Sequence, residues 1–126
     1  MFIIQDDKTI GLTRGDIAII EVRANVGETE EYIFQPNDVV RLRIVEKKRY
    51  DLLVLQKEVV VENETPVVEL VLTREDTKIG DIINKPKDYW YEIELNPDTS
   101  SQTIVGYDEH GPKIFRLYPE GVDSNE

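Results

Sequence analysis

Apolar and polar residues alternate with period two along most of the chain, and no stretch longer than about a dozen residues keeps the i, i+3, i+4 spacing of an amphipathic helix. The pattern predicts an all-β fold. Ala18, Ile20, Val22 and Ala24 share one face of a first long strand, bounded by Gly15-Asp16 before it and Asn25-Val26-Gly27 after it. A second strand sets Val40, Leu42 and Ile44 inward and Arg41 and Arg43 outward, entered from the turn Gln35-Pro36-Asn37-Asp38. From Leu52 to Val61 the chain is apolar at nearly every position in two short blocks, which predicts central strands covered on both sides.

The strand from Val67 to Leu72 leads into Thr73-Arg74-Glu75-Asp76-Thr77, a threonine cap with acids behind it, which predicts one helical turn. Tyr89-Trp90-Tyr91-Glu92-Ile93-Glu94-Leu95 has the clearest alternation in the sequence. Residues 102–107 and 113–118 read as a closing hairpin across Gly111-Pro112. Seven to nine short antiparallel strands separated by turns predict an immunoglobulin-like β-sandwich over residues 1–118, followed by a polar tail over 119–126 that is expected to fray.

Length and composition agree with one domain, since a chain of 126 residues can bury roughly two-thirds of its unfolded surface in a single core. No apolar run approaches the roughly 20 residues of a membrane helix, and the N-terminus shows no basic leader or small-residue cleavage site, so neither membrane insertion nor classical export is expected. Cysteine is absent, which removes disulfides, thiolate metal sites and a cysteine nucleophile. A net charge of -11, from 26 acidic and 15 basic side chains, repels a phosphate backbone, so no nucleic-acid partner is expected. The basic run Arg41, Arg43, Lys47, Lys48 and Arg49 reads as a solvated strand face paired with acids.

Candidate chemistry is sparse. His110, the one histidine, sits in the turn-like Asp108-Glu109-His110-Gly111-Pro112, a poor setting for a nucleophile–base pair. Arg14-Gly15-Asp16 spells an adhesion tripeptide, yet glycine between polar residues at a strand entry is sufficiently explained as a turn, so Thr13, Arg14, Gly15 and Asp16 are assigned a structural role. Glu92 and Glu94 emerge from one strand face roughly 6.5 Å apart, a spacing that any i, i+2 pair of acids produces. Alternation groups them with Trp90 and sets them against Tyr89, Tyr91, Ile93 and Leu95, without fixing which face is the core. If the tyrosine face is inward, Trp90, Glu92 and Glu94 form a candidate subunit interface. No enzyme activity and no cofactor or metal is expected.

The ordered segments Leu12-Thr13-Arg14-Gly15-Asp16, Asn37 to Ile44, Leu72-Thr73-Arg74-Glu75-Asp76-Thr77, Tyr89 to Leu95, Thr103-Ile104-Val105 and Ile114-Phe115-Arg116-Leu117 span most of the chain. In this order they resemble the small N-terminal β-sandwich domain of upper baseplate and other tail proteins in phages and prophages of Gram-positive bacteria. The resemblance implies a virion structural part, held in the tail and present in the bacterial cytoplasm during assembly. It implies other tail subunits as partners, in a homo-oligomer or a hetero-assembly. The loop from Ile79 to Lys87 is longer and richer in lysine than the family's glycine-rich turn, and the family's C-terminal partner-binding region is missing. A second reading is a carbohydrate- or ligand-binding sandwich with Trp90, Tyr107 and Tyr118 as stacking platforms.

Overall fold

The computed structural model describes residues 2–5, 7–26 and 29–120. Among them the chain forms eleven strands and one short helix: β1 (Phe2–Ile4), β2 (Ile10–Thr13), β3 (Ala18–Val22), β4 (Asn25–Val26), β5 (Glu30–Glu31), β6 (Val39–Glu46), β7 (Arg49–Val60), β8 (Val68–Leu72), α1 (Arg74–Thr77), β9 (Lys87–Leu95), β10 (Gln102–Val105) and β11 (Lys113–Tyr118). Seven strands make one sheet in the order β1-β2-β11-β9-β6-β7, with β10 also on β9. A second layer is the antiparallel pair β3–β8, and β4–β5 is a short ribbon at the end of β3.

Period-two alternation sets the core. On β9 the residues Tyr89, Tyr91, Ile93 and Leu95 point inward and are buried. Across β6 they stand opposite Ile44, Leu42 and Val40, with Tyr91, Ile93 and Leu95 as the respective partners. Across β11, Phe115 lies opposite Tyr89. The second layer answers with pairs of buried residues, Ala18 with Leu72, Ile20 with Leu70 and Val22 with Val68. These inner faces share one core.

Several elements differ from the expectations above. β7 is one continuous strand at the end of the sheet order rather than a pair of central strands. Leu52, Leu53 and Val60 on it are 42%, 46% and 54% exposed, and only Val61 beyond its end is buried. An unbroken apolar run carries no period, so it could not report that the strand has a neighbour on one edge only. Register shifts near Val45 also break its pairing with β6, and the β6–β7 turn swings Tyr50 over the outer face.

Residues 102–107 and 113–118 do not form a hairpin. β11 pairs with β9 along Lys87 to Tyr91, and β10 pairs with the same edge of β9 along Ile93 to Leu95, so the two strands follow each other along one template. Only the turn itself closes locally, through Asp108 and Gly111, the latter at φ 96°. Nor are the pairings all antiparallel: β11 runs parallel to β2, with Phe115 opposite Ile10 and Tyr118 opposite Thr13. The strands outnumber the seven to nine expected because β1, β4 and β5 are too short to show a period. Ala24 lies past the end of β3 and is only partly buried. Of the tail, Glu120 is tied down by Arg14 rather than frayed, and residues 121–126 lie outside the described residues.

Leu70 is fully buried between the layers, whereas Val60 sits on the open end of β7. Leu70→Ala should therefore lower unfolding stability by about 3 kcal/mol and Val60→Ala by less than about 1 kcal/mol in urea titrations. Equal losses would show that the β7 edge is buried in solution.

Candidate functional site

The turn after β2 is built by its glycine. The Asp16 N–H donates to the Thr13 carbonyl at 3.0 Å, and Gly15 holds φ 89°, a left-handed conformation that costs a residue with a Cβ. Thr77, fully buried at the end of α1, joins this turn to the helix: the Gly15 N–H donates to its Oγ1 at 3.1 Å, and its hydroxyl donates to the Asp16 carbonyl at 2.7 Å. α1 starts at the threonine cap expected at Thr73, and the structure extends it to a capping box, with the Asp76 carboxylate accepting from the Thr73 N–H.

Arg14 completes the clamp. Its guanidinium donates to the carbonyls of Ile79 and Gly80 and to Glu120 Oε2, at 3.2, 2.6 and 3.0 Å. With its side chain only 10% exposed and three acceptors engaged, Arg14 is not presented as an adhesion ligand. The turn over Thr13, Arg14, Gly15 and Asp16 is thus joined to α1, the loop after it and the end of β11. Sequence reading identified the turn but not Thr77 or the triple anchorage of Arg14, because all of these partners lie more than sixty positions away.

The structure places Trp90, Glu92 and Glu94 on the outer face of β9, opposite the buried tyrosines. Arg43 Nη1 reaches Glu92 at 3.3 Å. Arg41, opposite Glu94 in the ladder, bonds instead to Glu58 at 2.7 Å and Asp98 at 2.8 Å. Tyr50 packs on Trp90 with ring centroids 5.2 Å apart, and the Trp90 Nε1–H is buried without an acceptor among the described residues. Burial, and then the charge of Glu92, pushes the Tyr50 hydroxyl up from its ordinary range. Tyr50 is the residue of this face that the sequence concealed, since alternation fails in the irregular start of β7.

Two of the three aromatic residues considered as stacking platforms share Tyr50 as a neighbour. Trp90 lies under Tyr50, and Tyr107 stands exposed near Tyr50. Tyr118 packs over Gly11, where a Cβ would come within 3.2 Å of its ring. Farther along the same face, Arg116 makes two bonds to Asp88, at 2.7 and 3.1 Å. The glutamates and His110 gather no catalytic set: Glu92 is ion-paired, and His110 lies in the Asp108–Gly111 turn. Among the described residues no group of three or more acidic or histidine side chains converges on a metal position.

A concave feature lies at the other end of β2 from the clamp. An opening of about 460 Å³ separates residues 23–26 and Tyr32 from β10, with Leu95 between them. A smaller one of about 200 Å³ lies between β3 and the core residues Ile10, Tyr91 and Ile93. The two share Lys8, Arg23 and Val105 and so form one cleft. Its wall is held where Tyr91 donates its hydroxyl to the Lys8 carbonyl at 2.6 Å. Lys8 and Arg23 bring basic side chains to its rim, where Arg23 is ion-paired with Glu31 at 3.3 Å and Glu21 also lines the opening. The second layer has only two strands and does not reach across this part of the larger sheet, which leaves the cleft open.

Comparison with protein-family models, with curated proteins and with solved structures found no match.

Two tests follow from the outer face. The bonds from Arg116 hold the Asp88 carboxyl below the ordinary carboxylate range, against the opposing effect of partial burial. Its folded pKa lies below the unfolded value of about 3.9, so this stabilisation is present above that pH and fades as the pH falls through the folded value. The melting temperature of Asp88→Asn should accordingly depend less on pH below about 4 than that of the parent chain; equal slopes would show that the pair is not linked to folding. Trp90→Phe removes the unpaired donor and keeps a ring under Tyr50, so its stability should stay within about 1 kcal/mol of the parent, whereas Trp90→Ala should lose about 2 kcal/mol. If Trp90 also forms a subunit contact, Trp90→Ala lowers the oligomer mass in sedimentation; a lost melting temperature with unchanged mass would confine it to folding.

Proposed function

We propose that this chain is a structural tail or baseplate component of a phage or prophage of Gram-positive bacteria, an immunoglobulin-like β-sandwich that docks to like or unlike virion subunits. In this reading it acts by surface complementarity and performs no chemistry. Its place is the virion tail, reached from the bacterial cytoplasm during assembly.

The observation that carries the reading is the meeting of two segments on which the resemblance depends. Leu12-Thr13-Arg14-Gly15-Asp16 and Leu72-Thr73-Arg74-Glu75-Asp76-Thr77 come together through Thr77, Gly15 and Asp16, so widely separated motifs serve one clamp. Residues brought together in this way depend on one another, which supports reading their order as a family pattern. Density for the chain in the tail of particles purified from the phage or induced prophage, with matching peptides in mass spectrometry, is the expected result. Particles without the chain would overturn the assignment.

A further inference from the structure

Charge is divided unequally between the two ends of β6. At its C-terminal end the β6–β7 turn meets the loop after α1, where Lys87 pairs with Glu46 at 3.7 Å. Residues 46–51 and 78–87 hold six basic side chains against three acidic ones, a net of +3. The neighbouring Arg14–Glu120 and Arg116–Asp88 pairs cancel within themselves. Arg49 is held by Asp51, whereas Lys48 and Lys85 are exposed and make no ion pair among the described residues. Ile82, in the same loop, is 77% exposed.

At the other end of β6, roughly 25 Å away by strand rise, residues 30–38, 58–64 and 94–98 are drawn together. Phe34 bridges to Thr65, the Asn37 N–H donates to the Val61 carbonyl, and Asn96 Nδ2 donates to Asp38. These three segments hold eight acidic side chains and no basic one. Arg23, paired with Glu31, and Arg41, paired with Glu58 and Asp98, bring the eight negative charges to a net of -6. Glu30, Glu62 and Glu64 are exposed and make no ion pair among the described residues. Val60 and Ile33 are exposed at the same end.

We propose that this protein associates with itself head to tail, the basic end of one copy seated on the acidic end of the next. The distribution of charge selects this contact. Two basic ends repel each other and so do two acidic ends, so a two-fold contact through either end sets like charges together, and only unlike ends complement one another. Each end also exposes isoleucine or valine among its charges, as a docking surface does when an apolar centre is ringed by a polar rim. The overall charge of -11 opposes association in general. At about 0.15 M salt, however, the screening length is about 8 Å, so charges a strand's length apart are damped while those in contact are not. A contact between unlike ends leaves one free end of each kind, and copies therefore add in a row. This is the like-subunit form of the docking proposed above: the place of such a row in a tail rests on that reading, and the association itself does not.

The test is sedimentation velocity on the full chain over a range of concentrations. At about 50 mM salt the mean mass should rise with concentration beyond that of a dimer, and the association should weaken about tenfold at about 500 mM. Lys48→Glu with Lys85→Glu removes the positive balance of one end; Glu30→Lys with Glu62→Lys and Glu64→Lys removes the negative balance of the other. Each variant alone should stay monomeric. Mixed, they should form one-to-one pairs and nothing larger, because the intact basic end of one meets the intact acidic end of the other. All five side chains are exposed and outside any ion pair, so both variants should melt close to the parent; if a reversal unfolds the chain, the matching glutamine variants are read in the same way. A parent chain that stays monomeric, a mass that stops at the dimer, association indifferent to salt, either variant assembling like the parent, or variants that fail to pair when mixed would each overturn the proposal. Rows in solution from a chain missing in particles would sink the tail assignment alone, whereas a chain found in particles that does not self-associate would sink only this contact.

Discussion

Both edges of β9 are occupied, by β6 on one side and by β11 and then β10 on the other, so one nine-residue strand sets the register of its neighbours. A shift of one position on β9 would turn Tyr89, Tyr91, Ile93 and Leu95 outward and bring Trp90, Glu92 and Glu94 into the core. The cost of burying two glutamates makes that alternative untenable. The same register places Arg43 beside Glu92 and presents an apolar floor to β3 and β8. Core packing, the charged outer ladder and the floor of the cleft therefore share one constraint.

The parts of this arrangement governed by local periods were legible in the sequence. Alternation on β3, β6, β8, β9 and β11 grouped the side chains that share a face, and Thr73 with acids behind it announced the cap of α1. What was not legible concerns partners. Nothing in Leu52-Leu53-Val54-Leu55 distinguishes a central strand from an edge, since hydrophobicity is a property of the residue and neighbour count is a property of the sheet. The Gly111-Pro112 turn looked like the apex of a hairpin because turn chemistry reports a change of direction, not where the next strand lands. Pairing of β11 with β2 joins residues more than a hundred positions apart and leaves no local trace.

The candidate surfaces divide along the same line. Trp90, Glu92 and Glu94 could be grouped by alternation alone, and the structure adds the partners that compete for them: Tyr50 over the indole and Arg43 at Glu92. Arg14 was visible as part of a turn, whereas its role as an anchor emerges only with the two carbonyls and one carboxylate around it. The cleft had no sequence signal. It results from unequal layers, a two-stranded one laid on a seven-stranded one, and Lys8 and Arg23 become neighbours of the same space only through the course of β2 and β3.

The parallel pairing of β2 with β11 gives the molecule a mechanical character. Phe2 lies beside Leu12 and Tyr118 beside Thr13, so the first and last strands leave the sheet at the same pole. Tension applied between them first peels away the three residues of β1. It then pulls β2 and β11 lengthwise past each other, loading their ladder in shear, where several hydrogen bonds must fail together instead of opening one at a time. Arg14, bridging the 79–80 carbonyls and Glu120 at that pole, lies where the load enters. Tension between the ends of such a domain is therefore carried by the β2–β11 ladder as well as by the core.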